Sequence, residues 1–214
     1  MTTEIRVMTS GAFTAAHLEL IAQVEQLTGR KVVTVTTSIG TGDTSIPNRL
    51  KRGEVADIVI VADGVQRQFM ADKLVEEEGY KPVARSVIGI AVREGAPKPD
   101  VSTPEALKRL LLAAKTIAYS ASVSGQHLTG EIYKKLGIAD VAMPKSRLIT
   151  GGERTGAVVA RGDADLACQQ ISELLPVKGI AHITPLPPEL QKESIFGASV
   201  AATSPDKAMA RKVI

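Results

Sequence analysis

Three turns of the chain place small hydroxyl and glycine residues immediately before a stretch with helical periodicity. They are Thr9-Ser10-Gly11, Ser122-Val123-Ser124-Gly125 and Thr150-Gly151-Gly152-Glu153. The first N–H groups of a helix have no intrahelical partner and carry partial positive charge, so they attract anions. Small residues let a ligand approach that backbone closely. The turns therefore predict an anion site, and simple helix capping is the alternative for each of them.

Polar side chains follow two of the predicted strands. Arg154 begins the helix after the third turn, where a cation is poorly placed unless an anion binds beside it. Gln169 and Gln170 end an apolar strand, and their amide groups could donate hydrogen bonds to a carboxylate. The alternatives are a solvated Arg154 and amides that only satisfy backbone groups at the edge of a sheet.

The sequence offers few groups for proton transfer, metal binding or cofactor binding. His127 follows the second turn and could act as a base near neutral pH, with an ordinary surface histidine as the alternative. His17 lies on an apolar helix face and is expected to pack there. The three histidines are scattered and Cys168 is the single cysteine, a pattern that predicts no metal site. Gly40-Thr41-Gly42 lacks the third glycine of a dinucleotide site, so we expect no cofactor.

Composition excludes several classes of partner. The chain of 214 residues carries 26 basic and 23 acidic side chains, a net charge of +3 that is too small for a nucleic-acid surface. Aromatic residues make up 3%, without tryptophan, so stacking platforms for single strands are not expected. Apolar stretches run about 5 to 8 residues, short of the roughly 20 of a spanning helix. The first residues leave no room for a signal peptide, which fits a cytosolic protein or a mature exported one.

Strands and helices alternate along the whole chain, which predicts an α/β protein with mainly parallel sheets. We expect an amphipathic helix over Val65–Glu78 and one unusually long strand over Val83–Val92. Because roughly ten strands exceed the usual sheet of about 4–6, two lobes are favoured. The long strand and a proline-rich stretch mark the two crossings. The predicted lobes are residues 1–84 with 185–214, and residues 85–184, with a ligand cleft between them.

The order of motifs resembles that of type II periplasmic solute-binding proteins, particularly the molybdate-binding branch. The first strand ends in Thr9 and Ser10, and a second strand leads through Thr37-Ser38 into a loop rich in glycine and threonine. Gly53-Glu54-Val55-Ala56-Asp57-Ile58 is similar to the stretch that follows in that family. Arg161-Gly162-Asp163-Ala164-Asp165 is similar to its Gly-Glu-Ala-Asp segment. The resemblance covers nearly the whole chain.

The resemblance implies two α/β lobes, each a mainly parallel sheet flanked by helices, that are joined by two hinge crossings and close on an anion. Gln170 stands where molybdate binders have a tyrosine, and a guanidinium at Arg154 suits a carboxylate. These departures indicate a sister branch that includes aconitate isomerase. The residues expected to bind the ligand are Thr9, Ser10, Gly11, Thr37, Ser38, Ser122, Ser124, Gly152, Arg154 and Gln170.

Two functions follow from this resemblance. The first is a periplasmic, monomeric receptor that delivers a carboxylate such as aconitate or citrate, or an oxyanion, to the permease of an ABC importer. The alternative is a cofactor-independent isomerase that interconverts trans- and cis-aconitate by an allylic proton shift. Glu153 or His127 would then be the base.

Overall fold

The computed structural model describes residues 3–40, 42–150 and 152–214. Its strands are β1 (Glu4–Thr9), β2 (Lys31–Thr36), β3 (Ile58–Ala62), β4 (Lys81–Ser86), β5 (Ile88–Arg93), β6 (Ile117–Ser120), β7 (Ser146–Ile149), β8 (Leu166–Gln170), β9 (Ile180–Pro185) and β10 (Ser194–Val200). Its helices are α1 (Gly11–Thr28), α2 (Ile46–Lys51), α3 (Asp63–Ala71), α4 (Pro104–Ala113), α5 (Val123–His127), α6 (Tyr133–Lys135), α7 (Ala139–Ala142), α8 (Thr155–Ala160), α9 (Ile171–Leu174) and α10 (Lys207–Val213). A π-helical stretch, Leu128–Ile132, joins α5 to α6. This alternation confirms the predicted α/β class.

The chain divides into two compact units. Unit 1 comprises Met1–Arg85 and Ser194–Ile214, and unit 2 comprises Ser86–Glu193. The sheet of unit 1 has the order β2-β1-β3-β10-β4, and that of unit 2 has the order β7-β6-β8-β5-β9. The chain re-enters unit 1 at Ser194, later than the predicted boundary at residue 185, because Leu186 and Leu190 are buried in the core of unit 2.

The apolar strand β3 explains how unit 1 is built. It pairs in parallel with β1 and antiparallel with β10, so it lies inside the sheet. Successive side chains of a strand point to opposite faces. Ile58 and Ile60 accordingly belong to one core cluster with α1 and α10, while Val59 and Val61 belong to another with α2 and α3. Helices on both faces are what a continuous apolar strand requires.

Unit 2 follows the same principle with a different mixture of strand directions. β6 pairs in parallel with β7 and β8, whereas β5 runs antiparallel to both β8 and β9. Ile88 and Ile90 of β5 face a large core cluster that includes Leu107 and Leu111 of α4. Ala91 faces the opposite cluster, which includes the valines of α8.

The predicted bounds of one helix and one strand are wrong. The helix predicted over Val65–Glu78 is α3, which ends at Ala71 because Lys73 adopts a positive φ of 57° and Val75 forms a bridge with Ala201. The long strand predicted over Val83–Val92 is two strands, β4 and β5, in different sheets. The break falls at Val87, whose carbonyl accepts a hydrogen bond from the N–H of Ile171 at 2.9 Å.

Candidate functional site

Hydroxyl side chains collect at the carboxyl end of the parallel strands in unit 1. Thr9 ends β1 and is fully buried, and the N–H of Ser10 donates to the carbonyl of Ile60 at 2.8 Å. Ser38 follows β2, and its carbonyl accepts a hydrogen bond from Ile46 at 2.8 Å. We call Thr9, Ser10 and Ser38 the hydroxyl edge of unit 1. In open α/β sheets this is the end at which ligands bind.

Ser10 is the N-cap of the 18-residue helix α1, which begins at Gly11, yet its side chain makes no capping hydrogen bond. Its Oγ is buried and has no hydrogen-bond partner among the residues that the structure describes. Buried hydroxyls are normally paired. Ser10 therefore has donor and acceptor capacity that the described residues do not use. Thr37, also predicted to bind the ligand, is exposed in the loop after β2.

In unit 2, a chain of three serine hydroxyls begins the helix after β6. Ser122 Oγ lies 2.9 Å from Ser120 Oγ and 3.0 Å from Ser124 Oγ. The helix α5 begins within the predicted turn, at Val123, with Ser122 as its N-cap. A Cβ atom on Gly125 would lie 1.8 Å from the carbonyl oxygen of Ser120, so this tight turn requires glycine.

His127 has a neighbour at each ring nitrogen, but only the contact at Nε2 is a hydrogen bond. Its Nε2 lies 2.8 Å from the carbonyl oxygen of Leu190, and its Nδ1 lies 3.3 Å from Oε2 of Glu131. The neighbouring His127 ring is the main reason why the pKa of Glu131 lies below its ordinary value. The ring is buried while Glu131 is exposed. His127 thus links its helix to the Leu190 segment inside unit 2.

The third predicted turn leads from β7 into α8, and Gly151 of that turn lies outside the described residues. Gly152 has a positive φ of 81° and is exposed. Glu153 accepts a hydrogen bond from Arg161 at 2.6 Å, on the surface. Arg154 is exposed and is the N-cap of α8. Thr155 follows it, and its buried Oγ1 has no partner in the part of the chain that the structure describes.

The sequence analysis named the two amides at the end of β8 but not the carboxyl group that follows them. Gln169 and Gln170 are buried, and Gln170 is the N-cap of α9. Within α9, burial raises the pKa of the Glu173 carboxyl to about 7, while the positive charge of Arg154 and a hydrogen bond from Gln169 act in the opposite direction.

Strand register brings the predicted residues of unit 2 to one edge of its sheet. Ser120 pairs with Ile149 of β7, and Tyr119 pairs with Cys168 of β8. The turns after β6, β7 and β8 therefore leave the sheet at the same end. The residues of unit 2 predicted to bind a ligand and attached to these turns are Ser122, Ser124, Gly152, Arg154 and Gln170. Glu173 extends this group by a side chain that can hold a proton.

The remaining reactive groups do not add a second site. Burial raises the pKa of the Cys168 thiol to about 12, so it stays protonated at neutral pH. His17 is buried and contacts Thr34 Oγ1 at 2.9 Å, as expected of a packing residue. Across the described ranges, no three His, Cys, Asp or Glu side chains are grouped as a metal site requires. No helix in those ranges is both long and apolar enough to cross a membrane.

Comparison with solved structures agrees with the fold. The periplasmic molybdate-binding protein of Azotobacter vinelandii superposes with a TM-score of 0.77 at 17% identity, over 98% of this chain and 90% of that one. The substrate-binding domain of a molybdenum ABC transporter from Clostridium difficile gives 0.67 at 16% identity, over 99% and 90% of the two chains. At these identities the likeness establishes the fold alone.

Comparison of sequences is more specific. A protein from Pseudomonas sp. named aconitate isomerase is 35% identical over 213 residues, which cover 99% of this chain and 81% of the relative. Residues 5–212 match the family described as bacterial extracellular solute-binding protein. On this match the chain belongs to that family of bacterial extracellular solute-binding proteins.

Proposed function

We propose that this protein binds a small anion with several carboxylates, of the aconitate or citrate class. The observation that carries the proposal is Arg154 at the same sheet edge as the serine hydroxyls and buried amides of unit 2. A guanidinium pairs with a carboxylate through two parallel hydrogen bonds. Serine hydroxyls then supply donors to a second carboxylate without further positive charge.

A polycarboxylate suits this edge better than a compact inorganic oxyanion. Glu173 lies within electrostatic reach of Arg154. An ionised carboxylate there would repel an anion, whereas a protonated one donates a hydrogen bond to it. The larger carboxylate ligand also extends over more donors than a tetrahedral oxyanion does. That the ligand lies in a cleft between the lobes stays a prediction of the family resemblance.

Isothermal titration calorimetry with trans-aconitate, cis-aconitate, citrate and molybdate tests this proposal. We expect saturable binding of at least one of the three acids and weaker or no binding of molybdate. Tight molybdate binding together with no heat from any acid would overturn the proposal. The same titration should be repeated at two salt concentrations, because a guanidinium–carboxylate contact weakens as salt screens it.

A second function, isomerisation of aconitate, is favoured by the 35% identity to the Pseudomonas sp. protein over nearly the whole chain. The reaction removes a proton from the methylene carbon of trans-aconitate and returns one to the former vinyl carbon while the double bond moves. One C–H bond breaks and one forms, so the step needs no oxidant or reductant. It needs an anion site and a base.

Incubation of the purified protein with trans-aconitate, followed by proton NMR over time, separates the enzyme from a receptor. Appearance of cis-aconitate supports the isomerase. Binding of the acid without any chemical change supports a receptor that serves an ABC permease. Membership of an extracellular solute-binding family would place such a receptor outside the cytoplasmic membrane. The prediction of a monomer is tested by light scattering on the same sample.

A further inference from the structure

His127 shares a helix with the serine turn, residues 120–125. Ser124 and His127 are three residues apart in α5, a spacing that places two side chains on one face of a helix, and both are buried. The N–H of Gln126 donates to the carbonyl of Ser122 at 3.0 Å, so the N-cap belongs to the same hydrogen-bonded helix. A contact that holds the His127 ring therefore also holds the serine hydroxyls.

The ring of His127 contacts a segment of unit 2 that other hydrogen bonds fix in place, the Leu190 segment, residues 190–192. Nε2 lies 2.8 Å from the carbonyl oxygen of Leu190, whose side chain is buried in the large core cluster. The next residue, Gln191, pairs with the backbone of Ile88. Its Oε1 accepts from the N–H at 2.8 Å, and its Nε2 donates to the carbonyl at 2.9 Å. The Leu190 segment is thus a firm support to which His127 fastens α5.

The second ring nitrogen of His127 faces an acceptor. A carbonyl oxygen only accepts hydrogen bonds, so the contact with Leu190 requires a proton on Nε2, and Nδ1 of the neutral ring is then an acceptor. Nδ1 is buried and has no hydrogen-bond partner among the described residues, although Oε2 of Glu131 lies 3.3 Å away. Two acceptors therefore face each other. A proton on Nδ1 would turn this contact into an attractive ion pair.

The groups around the ring carry both signs of charge. The His127 ring and the ammonium of Lys192, whose Nζ lies 3.4 Å from Oε1 of Glu131, hold the pKa of the Glu131 carboxyl below its ordinary value. Glu131 is therefore ionised near neutral pH, and its exposed carboxylate connects the buried ring with solvent. The titratable side chains on the elements packed against α5, and on and beside the Leu190 segment, are Tyr119, Glu131, Cys168, Glu189, Lys192 and Glu193.

We propose that His127 is a positioning residue for the serine turn, and that a proton on its Nδ1 strengthens anion binding there. This inference rests on the anion binding proposed above and adds its regulation by pH. In the imidazolium, Nδ1 donates to Glu131 and Nε2 donates a charge-assisted hydrogen bond to Leu190, so the ring is held from both sides. The serine hydroxyls are then held in place for the ligand. Affinity rises as the pH falls through the range in which histidine gains its second proton.

The variant His127→Gln tests the inference, because its amide can donate to the carbonyl of Leu190 as Nε2 does but takes up no proton. Calorimetry with trans-aconitate, cis-aconitate and citrate gives the ratio of wild-type to variant affinity at pH 8.5 and pH 5.5. We expect this ratio to rise by about two- to fivefold at the lower pH, the size of an ion pair with one exposed partner. Protonation of the ligand and of Glu173 affects both proteins alike, so the ratio isolates His127. A ratio that is the same at both pH values would overturn the role.

Glu131→Gln removes the partner charge from an exposed position and should lower affinity at pH 5.5 in the same direction as His127→Gln. Its matched control is Glu105→Gln, which also removes an exposed carboxylate from the first turn of a helix in unit 2 and should bind as the wild type does. His182→Asn removes an exposed histidine whose positive φ of 53° asparagine accepts, and should also follow the wild type. Equal losses in the two glutamate variants would overturn the role, since only net charge would then matter.

Nitrogen-15 NMR of the ring provides a readout that a purely structural role would not move. The signals of the three histidines are assigned by comparing the wild type with His127→Gln and His182→Asn. We expect Nε2 of His127 to carry a proton at both pH values, and Nδ1 to gain one as the pH falls. A neutral ring with its proton on Nδ1, or a ring that stays neutral at pH 5.5, would contradict the inference. If none of the three acids binds to the wild type, the proposed function is wrong and the positioning role with it, whereas an unchanged affinity ratio overturns the positioning role alone.

Discussion

The two units present different chemistry at equivalent ends of their sheets. The hydroxyl edge of unit 1 consists of neutral groups: the buried Thr9 and Ser10, and Ser38 after β2. The corresponding edge of unit 2 has hydroxyls as well, and adds a guanidinium, two buried amides and a carboxyl that can be protonated. Both ends use turns from a strand into a helix. Only the side chains on those turns differ in kind.

This difference indicates how the work is divided. Neutral hydroxyls and N–H groups contribute roughly 0.5–1.5 kcal/mol per hydrogen bond, whereas bonds to charged groups contribute roughly 1.5–3 kcal/mol. Under the proposed function, unit 1 would position an anion but has little means to distinguish one anion from another. Under the proposed function, unit 2 would select carboxylates through Arg154. Substitutions in the two units test that asymmetry.

Gly125→Ala should damage unit 2 most severely. The added Cβ would lie 1.8 Å from the carbonyl oxygen of Ser120 and 2.8 Å from the ring of Tyr119. We expect the free energy of unfolding to fall by about 3 kcal/mol or more, or the protein not to fold. Gly130→Ala is the matched control, since nothing lies within 4 Å of its added Cβ. Urea unfolding followed by circular dichroism measures both; equal stability of the two variants would contradict the geometry of the serine turn.

The pH dependence of stability should change in Glu173→Gln. The folded protein holds the Glu173 proton with a pKa of about 7, against 4.5 ordinarily, so folding takes up a proton between these values. The contribution of Glu173 to stability is therefore lost as the pH rises through that range. Above pH 7 the variant should exceed the wild type by up to about 3 kcal/mol. Chemical unfolding at pH 4 and pH 8 measures the difference, and Glu105→Gln should follow the wild type at both.

Arg154→Ala should weaken binding of a tricarboxylate by about 10- to 100-fold, the loss expected for hydrogen bonds to a charged group. Arg147→Ala, which removes an exposed arginine from β7, makes the same change in net charge. Calorimetry on both variants separates a local contact from a general loss of positive charge. Equal losses in the two would mean that Arg154 acts only through the field of the whole protein.

Ser10→Ala should have the smallest effect, an approximately fivefold loss of affinity for one neutral hydrogen bond. Ser199→Ala is its control: Ser199 Oγ in β10 is also buried and without a partner among the described residues. Both variants should be as stable as the wild type or slightly more so, because each removes a buried unpaired hydroxyl. A greater loss of affinity in Ser10→Ala than in Arg154→Ala would reverse the proposed roles of the two units.

Much of the fold could be predicted because the signals are local. The alternation of apolar strands with helical stretches predicts the α/β class. Thr103 directly precedes Pro104, a position typical of an N-cap, and its hydroxyl does cap α4. The errors lie where tertiary contacts override local pattern. No local signal ends α3 at Ala71, because the following residues are drawn into a bridge with Ala201, far along the chain.

The residues of the candidate site likewise divide into those that local sequence signals predict and those that they do not. Ser10, Ser122 and Arg154 could be singled out because small residues and a cation at the start of a helix are visible in sequence. Glu173 could not, since an acidic residue in the first turn of a helix is ordinary there. Its distinctive pKa depends on burial produced by neighbours from several elements. Chemistry of this kind becomes visible only once those elements are packed.

The place of β10 between β3 and β4 has a consequence for synthesis on the ribosome. Every strand of unit 2 has been made once Pro185 has been added, whereas the sheet of unit 1 lacks an interior strand until Val200 has emerged. The N-terminal part of unit 1 must therefore wait, with the edge of β3 unpaired, while the whole of unit 2 is translated. Although unit 1 begins first, unit 2 is the unit that can complete its folding first.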